Sequence, residues 1–278
     1  MKRLKKLALV LTLGIAALSL VACGNNKKEA ADGKNAPVKI GVVGTKHEEW
    51  DAVKDKLAKD GTNIELVEFT DYNEPNEALL AGDIDLNSFQ HQVFLDNFNK
   101  EKNAELTAIG NTQLAPLGIY SKNIKDVKEL KENDKVSIPD DVTNQGRSLR
   151  LLQTAGLIKV KDGVDFPTPK DVTENKLNLE IIPMDASQTA RSLDDVAVAL
   201  INNGVATDAG YIPTKDAIFL ESVDKNSKPY INIIVARPED KDNETFKKIV
   251  KTYQSDDTKK IIEETSKGSS IPAWDIEL

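Results

Sequence analysis

VKIGVVG, residues 38–44, is a β-branched run bounded by glycines, the pattern of a buried strand. Just after it, Trp50, Val53 and Leu57 recur at helical spacing, and Gly61 closes that helix. Ile64-Glu65-Leu66-Val67-Glu68-Phe69 then alternates as a second strand. Pro75 suits the first turn of a helix that runs through Leu80 to Gly82, and Ile84-Asp85-Leu86 is a short third strand. Strand, helix, strand, helix, strand in this order predicts a largely parallel sheet with helices on both faces.

A second set begins near residue 118. Residues 135–138 read as a strand, 144–155 as a helix ending at Gly156, and 179–182 as another strand. Ser192-Leu193-Asp194-Asp195 resembles a capping box with Asp at the far position, and opens a helix into Ala199 and Leu200. Val205-Ala206 follows as a short strand. Residues 230–236 form a long strand leading out of this unit, and 243–253 and 256–265 close the chain as two helices. The sequence therefore predicts an α/β protein of two lobes. Residues 38–117 with 236–278 make the first, residues 118–235 the second, and the chain crosses between them twice. Ligands in such architectures sit at the C-terminal ends of strands, in the inter-lobe cleft.

Upstream, Lys2, Arg3, Lys5 and Lys6 precede an apolar run over residues 7–21, which suits the core of a signal peptide and is too short for a comfortable membrane span. It ends in Leu20-Val21-Ala22-Cys23, the bulky-small-small-cysteine pattern of a bacterial lipobox. Cys23 is the only cysteine, so no intramolecular disulfide forms, and thioether attachment of a diacylglycerol explains a lone cysteine in an exported chain. Residues 1–22 are thus expected to be a lipoprotein signal peptide, and residues 23–37 a lipidated cysteine followed by a flexible polar tether. Without the four basic residues of the leader, the formal net charge falls from −8 to −12. That excludes nucleic acid as a partner and leaves the lipid as the only attachment to the membrane.

The motifs of several enzyme classes are missing. There is no Gly-x-Ser-x-Gly elbow, no Cys–His pair outside the anchor, no phosphate loop and no GxGxxG. His47 and His91 are the only histidines and lie far apart, so no metal site, no cofactor and no enzymatic activity are expected. Residues such as Asp140-Asp141 and Asp194-Asp195 read as solvated surface or helix caps.

Two clusters remain. Aromatic residues make up 5% of the chain, yet Phe89, Phe94 and Phe98 fall within ten positions with His91 among them, and Tyr72 also follows a predicted strand. In that setting His91 is a core residue, a base, a metal ligand or one wall of a pocket. The matching place in the second lobe holds Asp141-Val142-Thr143-Asn144-Gln145-Gly146-Arg147. Arg147, one of five arginines, would lie in the first turn of its helix, where a cation is mildly unfavourable unless an anion joins it. A bidentate carboxylate backed by backbone N–H groups would satisfy both.

IGVVG, DYNEPNEALLAGDID, FQH followed by FLDNF, PDDVTNQGRSLRLLQTAGLIK, RSLDDVAVALIN and PYINIIVAR together resemble the methionine-binding lipoproteins of the MetQ/NlpA family, from about Val38 to Trp274. The resemblance implies a two-lobed, periplasmic-binding-protein type 2-like fold that closes on one amino acid. It implies that Tyr72, Phe89, His91 and Phe94 form an aromatic wall around a thioether, which packs well against ring edges. It further implies that Arg147 holds the α-carboxylate, and that Asn144, Asn202 and Asn232 hydrogen-bond the ammonium and carboxylate groups. His91 then serves as wall and hydrogen-bond donor. Two positions depart from the pattern: Phe94 and Val205 each stand where a tyrosine is common. The implied function is capture of methionine by a monomeric, lipid-anchored protein on the extracytoplasmic face, with delivery to the permease and ATPase subunits of an ABC importer. D-methionine, a methionine-containing dipeptide or another small amino acid are the alternative ligands. A surface adhesin is the alternative of another class.

Overall fold

β1 (Val38–Val43) carries the apolar run that opens the fold, and in the computed structural model, which describes residues 36–278, it is the second strand from one edge of a six-stranded sheet. The signal peptide, Cys23 and all but the last two residues of the tether lie outside the described residues. From β1 the chain passes through α1 (Glu48–Lys59), β2 (Ile64–Phe69), α2 (Glu74–Ala81), β3 (Leu86–Asn87), α3 (Gln92–Lys102) and β4 (Thr107–Leu114). It crosses into β5 (Gly118–Tyr120), β6 (Lys135–Pro139) and α4 (Val142–Thr154). A small hairpin, β7 (Lys159–Val160) with β8 (Val172–Glu174), follows, and then β9 (Glu180–Met184) and β10 (Val198–Ile201). The short helices α5 (Asn203–Asp208) and α6 (Pro213–Asp216) lead to β11 (Phe219–Leu220). The chain then returns through β12 (Ile231–Ala236), α7 (Glu244–Tyr253), α8 (Asp256–Thr265) and β13 (Ile271–Pro272).

The first sheet has the order β13-β4-β12-β3-β1-β2, and the second β11-β5-β10-β6-β9. β1 pairs in parallel with β2 and β3, as the β-α-β opening predicts. β12 enters from the second lobe and runs antiparallel to both β3 and β4, so the sheet is mixed rather than largely parallel. This strand also moves a boundary. The sequence places residues 118–235 in the second lobe, but β12 is hydrogen-bonded inside the first sheet, so the second crossing is complete before Ile231.

Each lobe has its own core. Trp50, Val53 and Leu57, the helical triplet of α1, pack with Ile40, Val42, Phe246, Ile249 and Tyr253, and the Trp50 and Tyr253 rings lie 4.7 Å apart. In the second lobe Ile119, Val136, Ile138, Val198 and Leu200 from the sheet meet Leu149 and Leu152 of α4. Two local expectations fail there. Ser192-Leu193-Asp194 opens only a single 3-10 turn, after which residues 198–201 are a strand buried on both faces rather than a helix. Val205 and Ala206 are helical in α5, not extended, and pack toward Tyr120 and Tyr211.

Candidate functional site

The first-lobe side of the site is the segment between β3 and α3. Behind it sits a closed ring of buried amides. Asn76 and Gln90 exchange hydrogen bonds of 2.9 and 2.6 Å, and Asn87 donates to Asn76 at 2.8 Å and accepts from Gln90 at 2.9 Å. A fully partnered polar network in a dry core holds one geometry. It fixes residues 87–91, and so aims Phe89 and His91 outward. His91 is the N-cap of α3, its Nδ1 accepting from the Phe94 N–H at 3.1 Å. The imidazole proton therefore sits on Nε2. Tyr72 at the end of the β2–α2 loop completes the cluster, with Tyr72–Phe89, Phe89–Phe94 and His91–Phe94 ring centroids 6.0, 5.6 and 6.3 Å apart.

The second-lobe side is built on α4. Asp141 caps the helix, accepting from the Asn144 N–H at 3.0 Å, and both its oxygens also accept from Asn144 Nδ2 at 3.1 and 3.0 Å. That holds the Asn144 carbonyl toward the cleft. It accepts from Asn202 Nδ2 at 2.9 Å and faces His91 Nε2 across the lobes at 3.4 Å. Asn202 Oδ1 is buried and has no protein partner.

Arg147 is only 5% exposed and lies in the second turn of α4, because the helix begins at Val142 and not at residue 144. The helix terminus therefore does not explain it. Its Nε donates to Glu221 Oε1 at 3.0 Å, and its Nη2 donates to Glu221 Oε2 and, at 3.2 Å, to the Ala115 carbonyl. The Tyr230 ring stacks on the guanidinium with 4.3 Å from its carbon to the centroid. The edge expected to take a carboxylate bidentately is thus held by a residue of the chain itself.

Burial, and secondarily the positive Arg147, lowers the His91 pKa from its ordinary value to about 3, so the ring is neutral at physiological pH. Burial likewise raises Tyr72 well above its usual range, keeping its hydroxyl protonated. Among the described residues no group of three or more His, Cys, Asp or Glu side chains is placed to hold a metal.

All eight side chains proposed from the sequence, Tyr72, Phe89, His91, Phe94, Asn144, Arg147, Asn202 and Asn232, line one cavity of about 260 Å³. That is slightly below the usual range of ligand pockets, roughly 300–1,000 Å³, and matches one amino-acid-sized molecule. Asn232 comes from β12, where it bridges to His91. Two residues escaped the sequence. Tyr230 lies 5.2 Å from the His91 ring and stacks on Arg147; it stands in the quoted PYINIIVAR, so a signal was present. Glu221, far from Arg147 in the chain, had none.

Two α/β lobes joined by two crossings, with a small aromatic and polar cavity between them, define a substrate-binding protein of the two-lobed type. Residues 38–274 match the family described as NlpA lipoprotein, and the chain belongs to that family. It is 45% identical over 265 residues to the D-methionine-binding lipoprotein MetQ of Escherichia coli K12, covering 94% of this chain and 95% of that one. The structure of a nutrient-binding protein from Burkholderia cenocepacia bound to methionine superposes with a TM-score of 0.81 at 43% identity, covering 85% of this chain and 99% of the other. The substrate-binding protein of a methionine transporter from Streptococcus pneumoniae does so with 0.82 at 41% identity, covering 86% and 96%.

Proposed function

We propose that the protein captures methionine in the inter-lobe cleft and hands it to the permease and ATPase of an ABC importer, as a binding protein and not an enzyme. The carrying observation is the buried, partnerless Asn202 Oδ1 beside Arg147 inside an aromatic box. An acceptor buried without a donor is costly, on the order of 1–3 kcal/mol, and a ligand ammonium removes that cost. Arg147 Nη1 then meets the α-carboxylate, and Asn144 acts by holding Asn202 and His91 in place. Asn232 lines the same cavity, bridged to His91. Tyr72, Phe89, His91 and Phe94 enclose the thioether.

Calorimetry on ligand-stripped protein with L-methionine, D-methionine, a methionine dipeptide, leucine and alanine tests this. Methionine in one stereochemical form should bind at least tenfold more tightly than leucine. Equal binding of leucine and methionine, or none of either, overturns the reading.

The lipid anchor belongs to the same proposal. Leu20-Val21-Ala22-Cys23 supports Cys23 as the modified N-terminus of the mature protein. Cys23→Ala should leave the protein unprocessed or release it from the membrane fraction. A processed Ala variant that stays membrane-bound contradicts lipidation at this residue.

A further inference from the structure

We propose that Glu221 is a positioning and specificity-determining residue: it locks the Arg147 guanidinium against both inter-lobe crossings and cancels its charge, so that the cleft is matched to a zwitterion and not to any anion. This rests on Arg147 as the carboxylate anchor.

The geometry carries it. A guanidinium has five N–H donors. Here Nε and one Nη2 donor go to Glu221, and the other Nη2 donor goes to the Ala115 carbonyl. Only the two donors on Nη1 remain for a ligand. Ala115 lies in the crossing from β4 to β5, and Glu221 opens the crossing from β11 to β12. The crossings are themselves joined at this point, with Leu117 N donating to Glu221 Oε2 at 3.1 Å and Glu221 N donating to the Leu117 carbonyl at 2.9 Å. Tyr230, from the second crossing, closes the open face of the guanidinium. Arg147 is thus held to both connections by the same carboxylate.

The charge argument follows from burial. The Arg147 and Glu221 side chains are 4% and 21% exposed, so little solvent screens them. An arginine alone here would attract every small anion, with or without an ammonium group. Paired with Glu221 it still offers directional Nη1 donors, but no net charge. A free amino acid, itself net neutral, meets a neutral pair.

Titration of the wild type and Glu221→Gln with L-methionine and methionine amide separates charge from shape. The amide keeps the ammonium and the thioether and loses the anionic oxygen. Glutamine keeps one acceptor oxygen for Leu117 N and Arg147 Nη2, and removes the charge together with the acceptor facing Arg147 Nε, a loss common to both ligands. The ratio of amide Kd to methionine Kd should rise by about tenfold or more in Glu221→Gln, as uncompensated Arg147 draws the carboxylate and repels the cationic amide. Glu221→Asp, which keeps the charge and shortens the reach, should weaken both ligands together and leave the ratio at its wild-type value. A wild-type ratio in Glu221→Gln, or a raised ratio in Glu221→Asp, overturns the inference while leaving methionine binding intact. Failure of the wild type to bind methionine overturns the functional reading, and this inference with it.

Discussion

On the first-lobe side of the cleft, Tyr72, Phe89, His91 and Phe94 present rings and no charge. On the second-lobe side, Asn144, Arg147 and Asn202 present hydrogen-bonding groups, Asn202 donating to Asn144 and Arg147 to Glu221. The two sides are also held differently. The rings stand on a buried amide network within one lobe. Arg147 is tied to the connections between lobes. Every α-amino acid offers the same ammonium and carboxylate, so on the proposed reading the polar side would recognise the class of ligand and could not choose within it, and choice within the class would belong to the rings.

Arg147→Ala should break the polar side most completely. It removes a charge-assisted contact and leaves the ligand carboxylate and Glu221 without a cation, costing roughly 2–5 kcal/mol of binding, about 30-fold to several-thousand-fold. Because the loss concerns the class, calorimetry should show methionine and norleucine weakened by the same factor. A variant that loses methionine alone would move selectivity to the polar side.

The aromatic side is tested by a melting series on ligand-stripped protein. At a thousand-fold excess over Kd, methionine should stabilise by about 4 kcal/mol. For a body of this size that is roughly 8–16 °C in Tm. Norleucine and leucine should follow, and alanine last, since each lost methylene is worth about 0.8 kcal/mol and the sulfur–ring contacts about 0.3–1.5 kcal/mol. In Phe89→Ala the spread should shrink while the order of the weakest ligands is kept. Equal shifts for all four amino acids in the wild type would mean that the rings select nothing.

The two sides were also unequally legible. The opening β1–α1–β2 unit follows from local pattern, since each element has its own period and its own terminating glycine. The aromatic cluster is local as well: Phe89, His91 and Phe94 share one loop and helix start. Residues 198–201 misled because a short apolar run after a cap-like sequence fits a buried strand or a buried helix equally. Strand pairing with β5 and β6 decides it, and that pairing is not local. β12 reads correctly as a strand, but nothing in its own sequence says that β3 and β4 will receive it. Glu221 was invisible for the same reason, since it meets Arg147 across 74 residues of chain. The carboxylate that pairs with Arg147 could not be seen from Arg147's surroundings in the sequence.

The smallest expected effect concerns the one member of the ring side that can take a proton. His91 is neutral in the folded protein down to about pH 3, whereas in the unfolded chain it titrates near 6.5. Acidification therefore protonates the unfolded state first, and this residue alone lowers stability by on the order of 2 kcal/mol between pH 7 and pH 5. Glu49 lines the same cavity and works in the opposite sense. Burial raises its carboxyl from 4.5 to about 7, so the folded state binds the proton first and gains stability over the same interval, by a similar amount. The contributions of these two groups should nearly cancel in the unliganded wild type. Glu49→Gln removes the gain and leaves the loss, so its Tm should fall by an extra 4–8 °C or so between pH 7 and pH 5, compared with the wild type. A variant that follows the wild type across that interval would mean that Glu49 does not hold its proton in the fold; one whose own Tm stays level from pH 7 to pH 5 would mean that His91 takes up a proton there, and that the aromatic side of the cleft carries a charge after all.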